Sequence, residues 1–236
     1  MQALALTLAL FATILPYAAP GEASAVRVSG APVVATEQAA QPASLPSDIP
    51  LFPLPEVVLF PGARRPLLIY EPRYREMVAD ALKGNRIIGT VLLRPGFEAN
   101  YEGRPPIYGI GCAGIIEDYQ QLPDARYAIL LHGLTTFRVV REDQRKPYRR
   151  ARVEAIPEVL KDEDRASLSM LRERLARLLD GLLPLDVKPP DPSLEDDEFV
   201  NVTAQAVEMP EASRQELLED NNVLGRARGL VERLSK

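Results

Sequence analysis

The 236-residue sequence contains no tryptophan, one cysteine and one histidine. The single cysteine, Cys112, excludes an intrachain disulfide, and the single histidine, His132, excludes a histidine-rich metal site. Also missing is a glycine-rich loop followed by Lys and then Ser or Thr. The lysines precede Gly84, Pro147, Asp162, Pro189 and the chain end, so no phosphate-cradling P-loop exists. Basic residues are outnumbered, 28 against 33 acidic, for a net charge of -5. That balance argues against a dedicated nucleic-acid binder, which carries a strongly basic face. The longest apolar run, Ala3–Leu15, falls short of the roughly 20 residues a membrane-spanning helix needs.

What remains is an ordinary globular composition with one excess. Apolar residues make up 46% and charged residues 26%, enough for a core without a metal or disulfide staple. Proline is abundant at 22 residues, nearly twice the usual share of about 5%.

The run Ala3–Leu15 followed by the small-x-small triplet Ala23-Ser24-Ala25 matches a secretory signal over residues 1–25, cleaved before Val26. Export to a periplasmic or extracellular space follows from that reading. The rival readings are an uncleaved anchor, the only case that involves a membrane, and a mis-called start that leaves the protein cytoplasmic. Residues 26–47 have little periodicity and read as a flexible linker.

Beyond the linker, the pattern gives an α+β chain: a β-rich subdomain over 48–160 and a helical subdomain over 161–236. Strands are expected at 49–52, 57–60, 67–69, 86–93, 107–118, 126–132, 135–141 and 149–156, several with period-two alternation. Gly133-Leu134 between two such runs predicts a tight hairpin. Many short antiparallel strands predict a small barrel, because closure removes exposed edges. One helix interrupts them, with Pro72 in its first position and Gly84 just past its end. Tyr74, Met77, Val78, Ala81 and Leu82 share its apolar face. After Pro157 the period becomes helical. A leucine stripe runs from Leu168 to Leu182, Ser193 with Asp196 suggests a capping box, Pro210 opens a short helix, and Val223–Leu234 carries another apolar face.

Motifs for chemistry are few. Cys112 and His132 could form a thiolate–imidazolium pair, but Cys112 lies in the apolar run GIGCAGII and reads as a small buried hydrophobe. Ser235-Lys236 sits at a terminus and forms no pocket. The acidic runs Asp162–Asp164 and Glu195–Glu198 sit at helix starts, where carboxylates belong without a metal. No catalytic, cofactor-binding or metal-binding residue is therefore expected. The segment 138–152 places seven basic residues against Glu142 and Asp143. Arg138, Arg141, Arg149, Arg150 and Arg152 are its candidate contacts for an anionic ligand or nucleic acid, weighed against a solvated charged face.

The most specific pattern is Ile49-Pro50-Leu51-Phe52-Pro53-Leu54-Pro55-Glu56-Val57-Val58-Leu59-Phe60-Pro61-Gly62. Its prolines remove backbone donors, so it cannot be a central strand throughout and must follow an edge or kink between short strands. It presents Phe52, Leu54 and Phe60 either as a barrel plug or as an apolar docking surface. Together with Pro66-Leu67, Ile69–Met77, Gly109–Ala113, Leu122-Pro123-Asp124, Gly133-Leu134, Phe137–Val139, Pro147-Tyr148 and Arg214–Glu219, the sequence resembles the amino-terminal, substrate-binding domain family of Lon proteases in stand-alone form. Arg64, Arg65, Leu68 and Ala125 depart from the family pattern; Ala125 stands where a turn glycine is usual.

The resemblance implies a PUA-like pseudo-β-barrel followed by a C-terminal helical subdomain. It also implies a non-catalytic module without the ATPase and protease parts, serving protein quality control. The implied partners are unfolded or extended polypeptides, or a partner protein. Phe52, Leu54, Phe60, Tyr70, Tyr74 and Met77 are the candidate peptide-binding surface. An anion binder through 138–152 is the alternative, and a Cys112–His132 hydrolase comes last.

Overall fold

The structure, a computed structural model, describes residues 45–97, 103–180, 182 and 188–235. The expected signal segment and nearly all of the expected linker lie outside the described residues.

Six strands carry the first part: β1 (Asp48–Leu54), β2 (Arg64–Ile69), β3 (Ile87–Leu93), β4 (Ile107–Gln121), β5 (Tyr127–Asp143) and β6 (Arg149–Ile156). Helix α1 (Pro72–Lys83) sits between β2 and β3. Helices α2 (Arg165–Leu179), α3 (Asp196–Ala206), α4 (Glu211–Glu219) and α5 (Val223–Leu234) follow. The strand order is β2-β5-β4-β3-β1-β6, and β6 pairs back onto β5. Five strands thus close a ring, with β2 appended outside it. This is the α+β pseudo-barrel with helices that the sequence led us to expect.

Closure depends on β5, whose 17 residues serve two partners along one edge. Residues 127–132 pair with β2 and residues 136–143 with β6, while β4 pairs along the opposite edge. The expected hairpin at Gly133-Leu134 is absent, and the strand runs straight through it. Gly133 serves a different need. Its N–H donates to Ala63 O, its carbonyl accepts from Gly62 N, both at 2.9 Å, and an added Cβ would collide with the Phe60 carbonyl. The glycine lets a crossing segment approach the strand, a close-contact role rather than a turn. That crossing segment includes Val57–Phe60, which is irregular rather than a strand, although Val58, Leu59 and Phe60 are buried.

The prolines of β1 are accommodated by a change of partner. Residues 48–51 pair antiparallel with β6, and residues 51–54 pair parallel with β3. Pro50 lies before the second ladder begins and Pro53 after the first has ended, so neither faces two ladders at once. The strand sits inside the sheet order while each half behaves as an edge.

Alternation divides the apolar residues into two cores. Inside the ring, Ile49, Leu51, Ile87, Val91, Ala113, Ala151 and Val153 surround Phe137, which is fully buried. A Cβ on Gly89 or Gly111 would lie 2.8 or 2.9 Å from the Phe137 ring. These glycines make room for the ring, whose burial contributes roughly 2–3 kcal/mol. Outside the ring, Phe52, Leu54, Ile88, Leu92, Cys112 and Ile116 join α1 and the later helices in a larger core. In α1 the expected face is observed: Tyr74, Met77, Val78 and Ala81 are buried, and Gly84 N–H closes the last turn on Ala81 O.

Two further expectations change. The Ser193 hydroxyl donates to Asp191 Oδ1 at 2.7 Å, and α3 starts after Glu195 with no side-chain cap. The local bend around Asp191 consumes the serine that the capping box needed. In α5, Arg226 is fully buried within the apolar face. Its guanidinium binds the carbonyls of Leu217 and Asp220 and the side chains of Glu158 and Asn201. That joins the segment after β6 to α3, α4 and α5.

Candidate peptide-binding groove

A cavity of about 600 Å³ opens where β1 and β3 end. Leu54, Pro55 and Glu56 continue from β1, and Leu92, Leu93, Arg94 and Pro95 from β3. β2 contributes Leu67, Leu68 and Ile69, with Tyr70 following it, and the far wall is Tyr108, Glu211 and Ala212. The floor is aromatic: the Phe52 and Tyr74 rings lie 4.6 Å apart between centroids at an interplanar angle of 56°. Two arginines stack on its tyrosines, Arg73 over Tyr74 at 4.7 Å and Arg94 over Tyr108 at 4.9 Å, contacts favourable to a cation on a π-face.

The rim is apolar and wet. Leu68 is 45% exposed and Tyr70 63% exposed. Large side chains on a rim beside a pre-formed apolar depression can bury area only against a ligand or partner. Two of the groove's three carboxylates are engaged: Glu71 accepts from Arg73 at 2.9 Å and Glu211 from Arg214 at 2.6 Å, while Glu56 is exposed. Among the described strands, β2 pairs only with β5, leaving its other edge unpaired, and Pro66 removes one donor from that strand.

Four of the six residues expected on a peptide surface, Phe52, Leu54, Tyr70 and Tyr74, meet in this groove. Phe60 and Met77 do not, because both are fully buried in the outer core and have no surface to offer. Sequence reasoning missed Leu67, Leu68, Leu92 and Tyr108. The signal for Leu68 was the triplet Leu67-Leu68-Ile69, which holds one apolar residue too many for a strand covered on a single face.

The basic segment 138–152 disperses. Arg138, Arg141 and Arg152 are exposed and Arg150 half-buried. Arg141, Arg150 and Arg152 gather around a depression that also contains Asp48, Glu142, Asp143 and Arg145. Asp48 pairs with Arg152 at 3.4 Å, and hydrogen bonds from Arg145 hold the Asp143 carboxyl down at about 2. This surface is a lattice of mixed sign. Arg149 is absent from it: only 5% exposed, its guanidinium reaches Pro105 O and Glu142 instead.

The thiol–imidazole pair is not assembled. Cys112 lies opposite Thr136 in the β4–β5 ladder, whereas His132 lies opposite Ile115. Cys112 is fully buried, and burial pushes its thiol well above the ordinary range, so it stays protonated. No group of three His, Cys, Asp or Glu side chains able to hold a metal ion occurs among the described residues.

A family model for the ATP-dependent protease La (LON) substrate-binding domain matches residues 48–236. The Lon protease of Anaeromyxobacter dehalogenans is 26% identical over 201 residues, covering 81% of this chain and 23% of that protein. Lon protease 2 of Myxococcus xanthus is 27% identical over 201 residues, covering 81% and 24%. The chain thus spans about a quarter of the length of the curated relatives it matches. Among solved structures, a Lon N-terminal domain protein from Xanthomonas campestris matches with a TM-score of 0.56 and 25% identity, over 78% of this chain and 97% of that one. The N-terminal domain of Lon protease from the Mycobacterium avium complex matches with a TM-score of 0.63 and 17% identity, over 80% and 98%. That second likeness establishes the shared fold.

Proposed function

This chain belongs to the family of ATP-dependent protease La (LON) substrate-binding domains, and from that premise we propose that its groove holds extended apolar segments of client polypeptides, without cutting them. The observation that carries this reading is the pairing of a buried aromatic floor, Phe52 and Tyr74, with the exposed rim residues Leu68 and Tyr70. A volume of about 600 Å³ falls within the range of pockets that enclose a ligand. Beside it, the β2 edge that is unpaired among the described strands supplies backbone donors and acceptors to an extended chain, while the apolar wall selects its side chains. Binding through a few apolar side chains, offset by the ordering of the peptide, gives weak and reversible affinity on the order of micromolar.

The test is fluorescence anisotropy of an unstructured, aromatic-rich peptide titrated with the full chain. Leu68→Asp puts a charge on the exposed rim, and weakening by roughly tenfold or more is expected. Saturable binding that Leu68→Asp leaves untouched refutes the location, and no saturable binding at about 100 μM refutes the reading. Degradation of casein by the purified chain, with contaminating proteases excluded, would overturn the non-catalytic role.

A further inference from the structure

A second cavity, of about 240 Å³, adjoins the groove and is more polar. Tyr74 and Leu93 line both cavities. Three arginines line the smaller one, Arg73, Arg104 and Arg149. They come from separate parts of the chain: the first turn of α1, the residues before β4, and the start of β6.

Their existing contacts hold them in place. Arg104 donates to two carbonyls, Asp143 O and Lys146 O, each at 3.3 Å, and among the described residues no carboxylate pairs with it. Arg149 is 5% exposed, donates to Pro105 O, and has Glu142 at 3.3 Å. Arg73 has Glu71 at 2.9 Å and reaches Gly103 O at 3.4 Å. Burial, together with the like charges of Arg104 and Arg73 and against the pull of Glu142, depresses the Arg149 pKa. Among the described groups, three guanidiniums face two carboxylates, Glu71 and Glu142, and an excess of positive charge beside a partly desolvated cavity favours one further anion. Planar guanidinium forks suit a carboxylate in two-point geometry.

We propose that the arginine cavity is a carboxylate subsite of the groove, so that the preferred ligand is an apolar polypeptide segment that ends in, or carries, a carboxylate. The inference rests on the groove reading and narrows it. The cavity is smaller than the usual range for whole small ligands, about 300–1,000 Å³, and its size suits one acidic side chain or one chain terminus. Tyr74 and Leu93, shared by both cavities, place the carboxylate one short step from the apolar floor.

The experiment uses the full chain and three dye-labelled peptides of one apolar sequence. The first has a free carboxyl terminus, the second is amidated, and the third is amidated with a glutamate at the same end. The variant is Arg104→Gln, chosen because Arg104 is exposed and, among the described residues, its hydrogen bonds go to carbonyls alone. Its melting temperature should match the parent's. A carboxylate peptide should bind about tenfold tighter than the amide, and Arg104→Gln should remove that advantage while leaving amide binding unchanged. Comparison of the first and third peptides tells a chain terminus from an acidic side chain. Equal affinity of all three for the parent overturns the inference and leaves the groove standing, as does an advantage that survives Arg104→Gln. If no peptide saturates, the groove reading falls, and 4-phenylbutyrate decides the subsite alone. A shift of the Arg104 Nε–Hε signal on titration sustains it, and no shift overturns it.

Discussion

Replacing Arg226 by methionine should unfold this protein far more readily than its place in a surface-type helix pattern suggests. The guanidinium is fully buried. Its Nε donates to Leu217 O at 2.9 Å and one Nη to Asp220 O at 2.8 Å. The other Nη serves Glu158 and Asn201 together, and the Phe60 ring centroid lies 5.5 Å from Cζ. Methionine fills most of the volume, so the cavity contribution is small. What is lost is satisfaction of charge and polarity. The Glu158 side chain is 18% exposed and would keep only the Asn201 amide, at 2.8 and 3.1 Å. Two carbonyls would lose the donor that the guanidinium supplies.

Breaking one side of a buried ion pair costs about 3–5 kcal/mol, a large part of a total stability of about 5–15 kcal/mol. Urea unfolding followed by circular dichroism should show that loss for Arg226→Met. Adding Glu158→Gln removes the stranded charge, so the double variant should be more stable than Arg226→Met alone. A loss below about 1 kcal/mol for Arg226→Met, or a double variant as unstable as the two single losses added together, would refute the account of a paired buried charge.

Two further outcomes follow from the backbone and from titration. Ala125 has φ +64 in the turn between β4 and β5, a left-handed conformation that costs an L-residue with a Cβ about 1–2 kcal/mol. Ala125→Gly should therefore raise the melting temperature, with a net gain of about 0.5–1 kcal/mol once the added freedom of the unfolded chain is offset; a lower melting temperature would contradict it. Tyr148 is raised to about 12 from 10.0 by burial and by its hydrogen bond to Asp80. The folded state holds a proton that the unfolded chain releases first. The associated stability is complete below pH 10 and is lost as the pH rises toward 12, by about 2–3 kcal/mol. Tyr148→Phe should be less stable near neutrality and should flatten this alkaline decline; parallel curves for the two proteins would refute it.

Local steric signals were legible in the sequence, and long-range encounters were not. Pro72 and Gly84 mark α1 because a missing donor and a missing Cβ act on their own backbone. Alternation likewise marks β6, with Ala151 and Val153 inside the ring. Gly133 misled because a glycine that permits a turn and a glycine that admits a crossing chain look alike until Phe60 and Ala63 arrive, some seventy residues earlier in the chain. Arg149 read as a surface charge for the same reason, and nothing in the sequence marked Arg226 as buried. Their partners Glu158 and Pro105 are 68 and 44 residues away, and only a folded chain decides whether a guanidinium is solvated or enclosed. In the groove the aromatic floor and Tyr70 on the rim were visible, and Leu68 and Tyr108 were not, because only the folded barrel brings β2 and β4 to one cavity.

The prolines connect the legible part to the site. β1 and β3 run parallel, with Leu54 beside Leu92, so both strands leave the ring at the same end. Pro55 follows one and Pro95 closely follows the other, and neither can donate to a continuing ladder. Two adjacent strands that stop together leave a gap in the wall, with residues of both continuing around it. β2 and the start of α1 border that gap on one side, Tyr108 and the start of α4 on the other, and the groove is what they leave open. The backbone feature that excluded an uninterrupted central strand is thus the one that opens the groove. The same ending of β3 puts Leu93 at the wall shared with the arginine cavity, so an apolar floor and a cationic end arise from a single architectural break.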